Sequence, residues 1–460
     1  MNYISTRGGV NPIPFGEAVM TGLADDGGLL LPAAIPNVSE ALSEWRKLPY
    51  ADLACEIMRL YSDTPPDVLR GIVDRSYSTF RDPDIARVVA VGPVFVLELF
   101  HGPTLAFKDV ALQYLGNLFE HLLGRSGAAL NILVATSGDT GSAAIHGLRG
   151  RDGVRVFVLH PRGRISRTQE RQMTTVLDDN VFNVAVEGTF DDCQRIVKSL
   201  FSDLTFKKKC ALGAVNSINW ARVLAQIVYY FYAAFRVMDC TAATAVRFSV
   251  PTGNFGDIMA GFMAYKMGLP IDQLVLATNE NDVLTRFFNT GEYRPASVST
   301  TISPSMDIQV AGNFERYLYY RMGEDPAAVA RLTDDLSRNG ALRVDPLPGG
   351  AMDDLFTAGS ADTDATLAVI RDFYKRYRYL ADPHTAVGLA VGSRYLDDRA
   401  PMICLSTAHP AKFGEAIKQA LGDDSMARHP IIDRLSALAT RCDVLPSSVS
   451  AVHDYIAARV

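Results

Sequence analysis

Cysteine, long apolar runs and any excess of positive charge are all scarce in this chain, and each scarcity closes off a class of function. The six cysteines, Cys55, Cys193, Cys210, Cys240, Cys404 and Cys442, are scattered. They form no C-x-x-C and stand at no metal spacing with histidine, so reduced thiols are expected and no metal site. H-E-x-x-H, G-x-x-x-x-G-K-[ST] and G-x-G-x-x-G are missing as well, which removes the common zinc, P-loop and dinucleotide signatures. Lys and Arg number 45 against 51 Asp and Glu, a net charge of -6, and no long basic run occurs. Nucleic acid is therefore not an expected partner. The most notable uncharged run, Val223 to Phe235, contains Gln226 and is bounded by Arg222 and Arg236. It is too short to span a bilayer and reads as a core helix, so no membrane partner is expected. MNYISTRGGVNPIPF lacks a charged segment leading into an apolar one, and a cytoplasmic location is the expectation.

What is present suits a soluble globular protein of two or three domains: 460 residues, 48% hydrophobic and 21% charged. Residues 1–93 have turn clusters at Gly8-Gly9, Asp25 to Gly28 and Pro65-Pro66 between helical patterns such as Asp52 to Tyr61. They read as a mainly helical N-terminal domain. GGLLLP, near Gly27, reads as a turn feeding an apolar strand. From Val94 onward strands and helices alternate, the pattern of a parallel sheet covered by helices. Expected strands are Val94 to Phe100, Leu130 to Ala135, Val154 to Leu159, Val181 to Val186, Val246 to Val250, Leu274 to Thr278 and Met402 to Ser406. Helical patterns fall between them, including Ser142 to Leu148 and Trp220 to Met238. The tail, 423–460, reads as polar turns around helices.

One lysine stands where lysines are unusual. After Lys108 the apolar residues Ala111, Leu112, Leu115, Leu118, Phe119 and Leu122 follow the spacing of a single helix face, and Lys108 lies on that face. A first-turn lysine can snorkel to solvent. Here Gly102-Pro103 bends the chain after an apolar strand, placing the helix start at the strand's carboxyl end, where α/β folds build sites. Partial burial lowers an amine's pKa and frees its lone pair for Schiff-base chemistry with a carbonyl.

Two glycine-containing turns, Thr136 to Gly141 (TSGDTG) and Thr252 to Asp257 (TGNFGD), follow strands and open helices. Unpaired N–H groups and the helix dipole suit either turn to an anion, and local physics does not say which binds what. Each also carries an aspartate that must turn away. Asn216, Ser217 and Arg222 in NSINWAR combine short polar groups with a guanidinium, a set that suits phosphate, while Ser217 or Asn219 also suits a helix cap. Thr407 ends a strand. His101, His384 and His409 lie near these motifs and rank below Lys108, since packed or capping histidines are common.

HGPTLAFKD resembles the lysine motif of the threonine synthases, and the resemblance continues in order through SGDTGSAA, NSINWARVLAQ, PTGNFGD, SPSMDIQV, DPHTAVG and STAHPAKF. The variant it resembles is the longer microbial and fungal type. That resemblance implies an α/β architecture of pyridoxal-phosphate fold type II (tryptophan synthase β-like): two parallel-sheet lobes with helices on both faces, plus the N-terminal domain. It divides the chain into 1–93, a catalytic domain 94–422 with a small lobe of about 130–215, and a C-terminal extension 423–460. It implies pyridoxal 5'-phosphate on Lys108, its phosphate held by Gly253, Asn254, Phe255 and Gly256 and its ring nitrogen met by Thr407. Thr136, Ser137 and Thr140 are then expected to take the substrate carboxylate. Asn216, Ser217 and Arg222 are expected to take the phosphate of O-phospho-L-homoserine, and Ser303, Ser305 and Asp307 to line the site. Asp139 stands where relatives in this fold often carry asparagine. A monomer or homodimer is expected. The alternatives are a serine or threonine dehydratase of the same fold, which needs no γ-phosphate site, and a non-catalytic relative.

Overall fold

The computed structural model describes residues 1–460, with the side chains of residues 125 and 126 outside the description. Two twisted sheets carry the site. The larger has six strands in the order Phe356–Ser360, Ile271–Thr278, Val246–Pro251, Met402–Ser406, Val94–Glu98 and Arg87–Val91. All neighbours are parallel except the last pair, whose edge strand Arg87–Val91 runs antiparallel. The smaller sheet is fully parallel, with five strands in the order Asp443–Pro446, Val181–Glu187, Val154–Pro161, Leu130–Ala135 and Leu212–Gly213. Val246–Pro251 is buried along its whole length, as expected of a central strand with both faces covered.

Two of these strands were not expected from the sequence. FTAGS at Phe356–Ser360 has a single large apolar residue, and Asp443–Pro446 comes from the tail, yet pairs with Val184 to Glu187. The helix expected from Ser142 begins earlier, at Asp139, because Gly138, at φ +148°, turns the chain straight from the strand into it. At the N-terminus, Tyr3 pairs with Ile13 and Pro32 in a three-stranded antiparallel sheet, and GGLLLP supplies its strand Leu30–Pro32. Four helices complete that region, Phe15–Thr21, Leu42–Trp45, Tyr50–Tyr61 and Pro66–Tyr77.

The core gathers on the helix Trp220–Thr241, buried from Trp220 to Phe235 and packed against Tyr50–Tyr61 and Lys108–Ser126. Each fully buried side chain there, such as Leu224 or Phe231, contributes about 1.5–3 kcal/mol over exposure. No helix of the described residues is long and apolar enough to cross a membrane.

One contact sets the position of the site. The helices Lys108–Ser126 and Asp139–Leu148 approach backbone to backbone: a Cβ on Gly116 would lie 2.0 Å from Gly147 O, and one on Gly147 2.4 Å from Leu112 O. Only glycine permits that spacing. It brings the first residue of one helix, Lys108, beside the first residue of the other, Asp139.

Candidate active site

The carboxyl ends of Leu130–Ala135, Val246–Pro251 and Met402–Ser406 open on one cavity of about 870 Å³. Lys108, Thr136, Ser137, Asp139, Thr140, Asn216, Ser217, Arg222, Gly253, Asn254, Phe255, Gly256 and Thr407 all line it. The structure thus brings together three turns and two helix starts that are far apart in sequence. Ser305, Asp307 and His384 line it too, whereas Ser303, His101 and His409 do not. Ser303 accepts a bond from Asn279 at 3.0 Å, His101 pairs with Glu98 at 3.0 Å, and His409 Nδ1 caps Ala411 N–H at 3.1 Å.

Lys108 is held by its neighbours on both sides. Phe107 N–H donates to Thr407 O at 2.8 Å and His409 N–H to Leu105 O at 3.0 Å, stitching the lysine loop to the strand Met402–Ser406. The residue is 9% exposed, and burial pulls its amine down to about 8 from the ordinary 10.5, the nearby Asp139 opposing that shift. The snorkelling alternative does not hold.

Asp139 is buried between two lysines, with Lys412 Nζ 2.8 Å from Oδ1 and Lys108 Nζ 3.9 Å from Oδ2. Burial pushes its carboxyl up, but the ammoniums, Lys412 foremost, hold it well below the usual carboxylate range. Gln169 donates to Oδ1 at 3.0 Å and Ser305 to Oδ2 at 3.3 Å. Lys412 was not singled out in the sequence, although it sits in STAHPAKF. Its place shortly after the apolar strand Met402–Ser406 was the one signal available.

The other aspartate, Asp257, also lines the cavity, but its carboxylate is held by two tyrosines. Tyr229 and Tyr230 donate to its Oδ1 at 2.5 and 2.9 Å, and burial raises its carboxyl to about 6. Phe255, just before the helix Gly256–Lys266, sits at φ +62°, costly for a residue with a Cβ. Its ring is packed among Phe288, Phe314, Tyr317 and Phe356, which fixes that conformation. The helix start has no side-chain cap. Asn254 bonds to Ser217 Oγ and to Gly312 N–H, so the glycine turn and NSINWAR form one wall.

In that wall Arg222 is 4% exposed. Its guanidinium donates to Val215 O at 3.1 Å, Nε has no partner, and it forms no ion pair among the described residues. Burial pulls it down to about 10. Asn219, not Ser217, caps the helix, accepting from Ala221 N–H at 3.1 Å. In NSINWAR the cap thus falls on Asn219, outside the set Asn216, Ser217 and Arg222 that lines the cavity. Arg316, another buried guanidinium, by contrast donates to Leu30 O, Ile218 O and Asn313 Oδ1, tying the N-terminal sheet to this wall.

In the TSGDTG turn, Thr136 Oγ1 accepts from Gly138 N–H at 3.0 Å and Gly141 N–H at 2.9 Å. Its hydroxyl builds the turn, leaving exposed Ser137 and half-buried Thr140 to face the cavity. Asp307 is fully engaged by Thr301, Asn279 and Asn281, and anchors the loop that carries Ser305. Asn279 and Asn281 are supporting residues that the sequence reading missed.

Three stretches match known families: residues 2–77 "Threonine synthase N terminus", 83–352 "Pyridoxal-phosphate dependent enzyme", and 385–456 "Threonine synthase, C-terminal". The chain is 48% identical to the threonine synthase of Schizosaccharomyces pombe, over 92% of this chain and 90% of that one. It belongs to the threonine synthase family. The threonine synthase of Pseudomonas aeruginosa is 44% identical over 99% of this chain and 98% of its own length. A PLP-bound threonine synthase from Brucella melitensis superposes with a TM-score of 0.96 at 42% identity, over 100% of this chain and 99% of that one. The fold-type-II architecture expected of the family is the one observed.

The residues present fit the family's cofactor, pyridoxal phosphate. A Cβ on Gly253 would stand 3.0 Å from Met306 Cα and 3.0 Å from Ser305 O, so a side chain there would fill the cradle beside the uncapped helix start. An uncapped helix N-terminus suits a phosphate, and the lowered amine of Lys108 suits a carbonyl.

Proposed function

We propose that the chain converts O-phospho-L-homoserine and water to L-threonine and phosphate, with Lys108 as the reacting lysine. The observation that carries the substrate half of this reading is Arg222. A buried guanidinium without an acidic partner carries a desolvation penalty of several kcal/mol, which an anionic ligand offsets. A dehydratase substrate brings no phosphate to that wall.

When bound, pyridoxal phosphate supplies a conjugated electron sink that acidifies hydrogens on the substrate's α- and β-carbons. Gly253, Asn254, Phe255 and Gly256 would hold its phosphate at the helix start, and Thr407 would face its ring nitrogen. Ser137 and Thr140 hold the substrate carboxylate on the turn that Thr136 shapes. As a free amine, Lys108 Nζ would take a proton from the α-carbon and, once that proton has been passed on, a second from the β-carbon. Arg222, with Asn216 and Ser217, grips the γ-phosphate as negative charge grows on the leaving oxygen.

We place the first domain boundary near residue 80 rather than 93, because Arg87–Val91 pairs with Val94–Glu98 in the large sheet. The tail 423–460 docks on the small lobe through Asp443–Pro446. A cytoplasmic monomer or homodimer remains the reading for location and assembly.

Arg222→Leu tests the assignment. It keeps aliphatic bulk and removes the charged contacts, so kcat/KM for O-phosphohomoserine should fall about 100-fold or more, with cofactor affinity unchanged. Intact threonine formation, or loss of cofactor binding, would show that NSINWAR is not the phosphate site.

A further inference from the structure

We propose that Lys412 is a positioning residue of this active site: its fixed ammonium is the counter-charge that allows an aspartate, Asp139, to stand beside the reacting lysine. The inference rests on the reading of Lys108 given above and adds a residue that this reading does not use.

The geometry leaves Lys412 one task. Its Nζ is 2.8 Å from Asp139 Oδ1 and donates to Thr104 O at 2.8 Å, and the side chain is wholly buried. Both partners are themselves fixed. Gln172 donates to the same Thr104 O at 3.0 Å, and Gln169 to the same Asp139 oxygen at 3.0 Å. Lys412 is thus held away from Lys108 while Asp139 Oδ2 is left directed at Lys108 Nζ, 3.9 Å away. An unpaired buried carboxylate there would draw a proton onto Lys108 and hold it as ammonium, the form that neither attacks a carbonyl nor accepts a proton.

Among the described residues, the lysines and arginines paired with Asp139 are Lys412 and Lys108. The charged and titratable groups around Lys108 are Asp139, Lys412, Arg222 and Asp109, with Asp257 behind the glycine turn and His384 facing Asp139. His384 Nε2 accepts from Ser305 N–H at 3.1 Å, so its proton lies on Nδ1, toward Asp382 Oδ1 at 2.8 Å. It offers no charge in that state. Arg222 belongs to the opposite wall, and Asp109 and Asp257 carry the wrong sign. Lys412 is the cation in direct contact with Asp139 that remains when Lys108 is neutral.

The test reads Lys108 itself rather than turnover. In the full chain freed of cofactor, competitive labelling with acetic anhydride across a pH series, read by mass spectrometry at Lys108, gives the midpoint of its titration. Lys412→Met should raise that midpoint by about 1–3 pH units. Lys412→Arg should keep it near the native value, and Lys412→Met with Asp139→Asn should return it to within about half a unit, since an asparagine needs no counter-charge. If Lys412→Met does not fold, Asp139→Asn alone decides: the unopposed Lys412 should lower the midpoint by about one unit, and adding Lys412→Met should restore it. Either single variant with an unmoved midpoint overturns the proposal, as does a double variant as displaced as its parent. A failed reading of the phosphate site would leave these midpoints untouched, so the two failures are distinguishable.

Discussion

Asp139 and Lys412 join the two lobes, the carboxylate at the first residue of a small-lobe helix and the ammonium beyond the end of a large-sheet strand, 2.8 Å apart. Both groups are out of reach of water, so losing one strands the other. Breaking such a buried pair costs about 3–5 kcal/mol, whereas replacing both members is close to neutral. Lys412→Ala should therefore lower the urea midpoint markedly, and Asp139→Asn in the same chain should recover more than half of the loss. Equal midpoints for Lys412→Ala and the native chain would contradict this.

Lys108 makes a pH-dependent prediction. Burial has lowered its amine to about 8, so at pH 8 roughly half is neutral, against less than about 1% of an ordinary lysine. The neutral form is the nucleophile. The rate at which added pyridoxal phosphate attaches to the cofactor-free chain should rise with pH, then level off near pH 8. An increase that continues toward 10.5 would mean the lysine is solvated. Borohydride reduction followed by peptide mapping should find the cofactor on Lys108 and on no other lysine.

Much of this site was legible because its chemistry is concentrated in contiguous motifs. Lys108 declared itself by standing on an apolar helix face, and the two turns that line the cavity by glycine after a strand. What was not legible depends on contacts between distant segments. Nothing local to Lys412 says that it meets Asp139, and Asn279 and Asn281 matter only because Asp307 folds back onto them. The strand Phe356–Ser360 escaped notice for a similar reason: its sequence is small and polar, and it becomes a strand by pairing with Leu274 to Thr278. Thr136 shows how a contact within one turn also escapes a motif. It lines the cavity as its place in the motif suggested, and its hydroxyl also accepts from two N–H groups of its own turn.

Gly253 tests the cofactor cradle. Its missing Cβ would stand 3.0 Å from Met306 Cα and 3.0 Å from Ser305 O, both backbone atoms that cannot rotate away. Gly253→Ala must shift the Ser305–Met306 loop or the turn. The dissociation constant for pyridoxal phosphate should rise about tenfold or more, equivalent to about 1.4 kcal/mol, with little change in the unfolding midpoint of the cofactor-free chain. Unchanged affinity would place the phosphate elsewhere.

The most direct test of the whole account is the product made from O-phospho-L-homoserine. With purified full chain and pyridoxal phosphate, the reaction followed by proton and phosphorus NMR should yield L-threonine and inorganic phosphate in equal amounts. Release of a 2-oxo acid and ammonia as the main products, or substrate left unchanged, would contradict it.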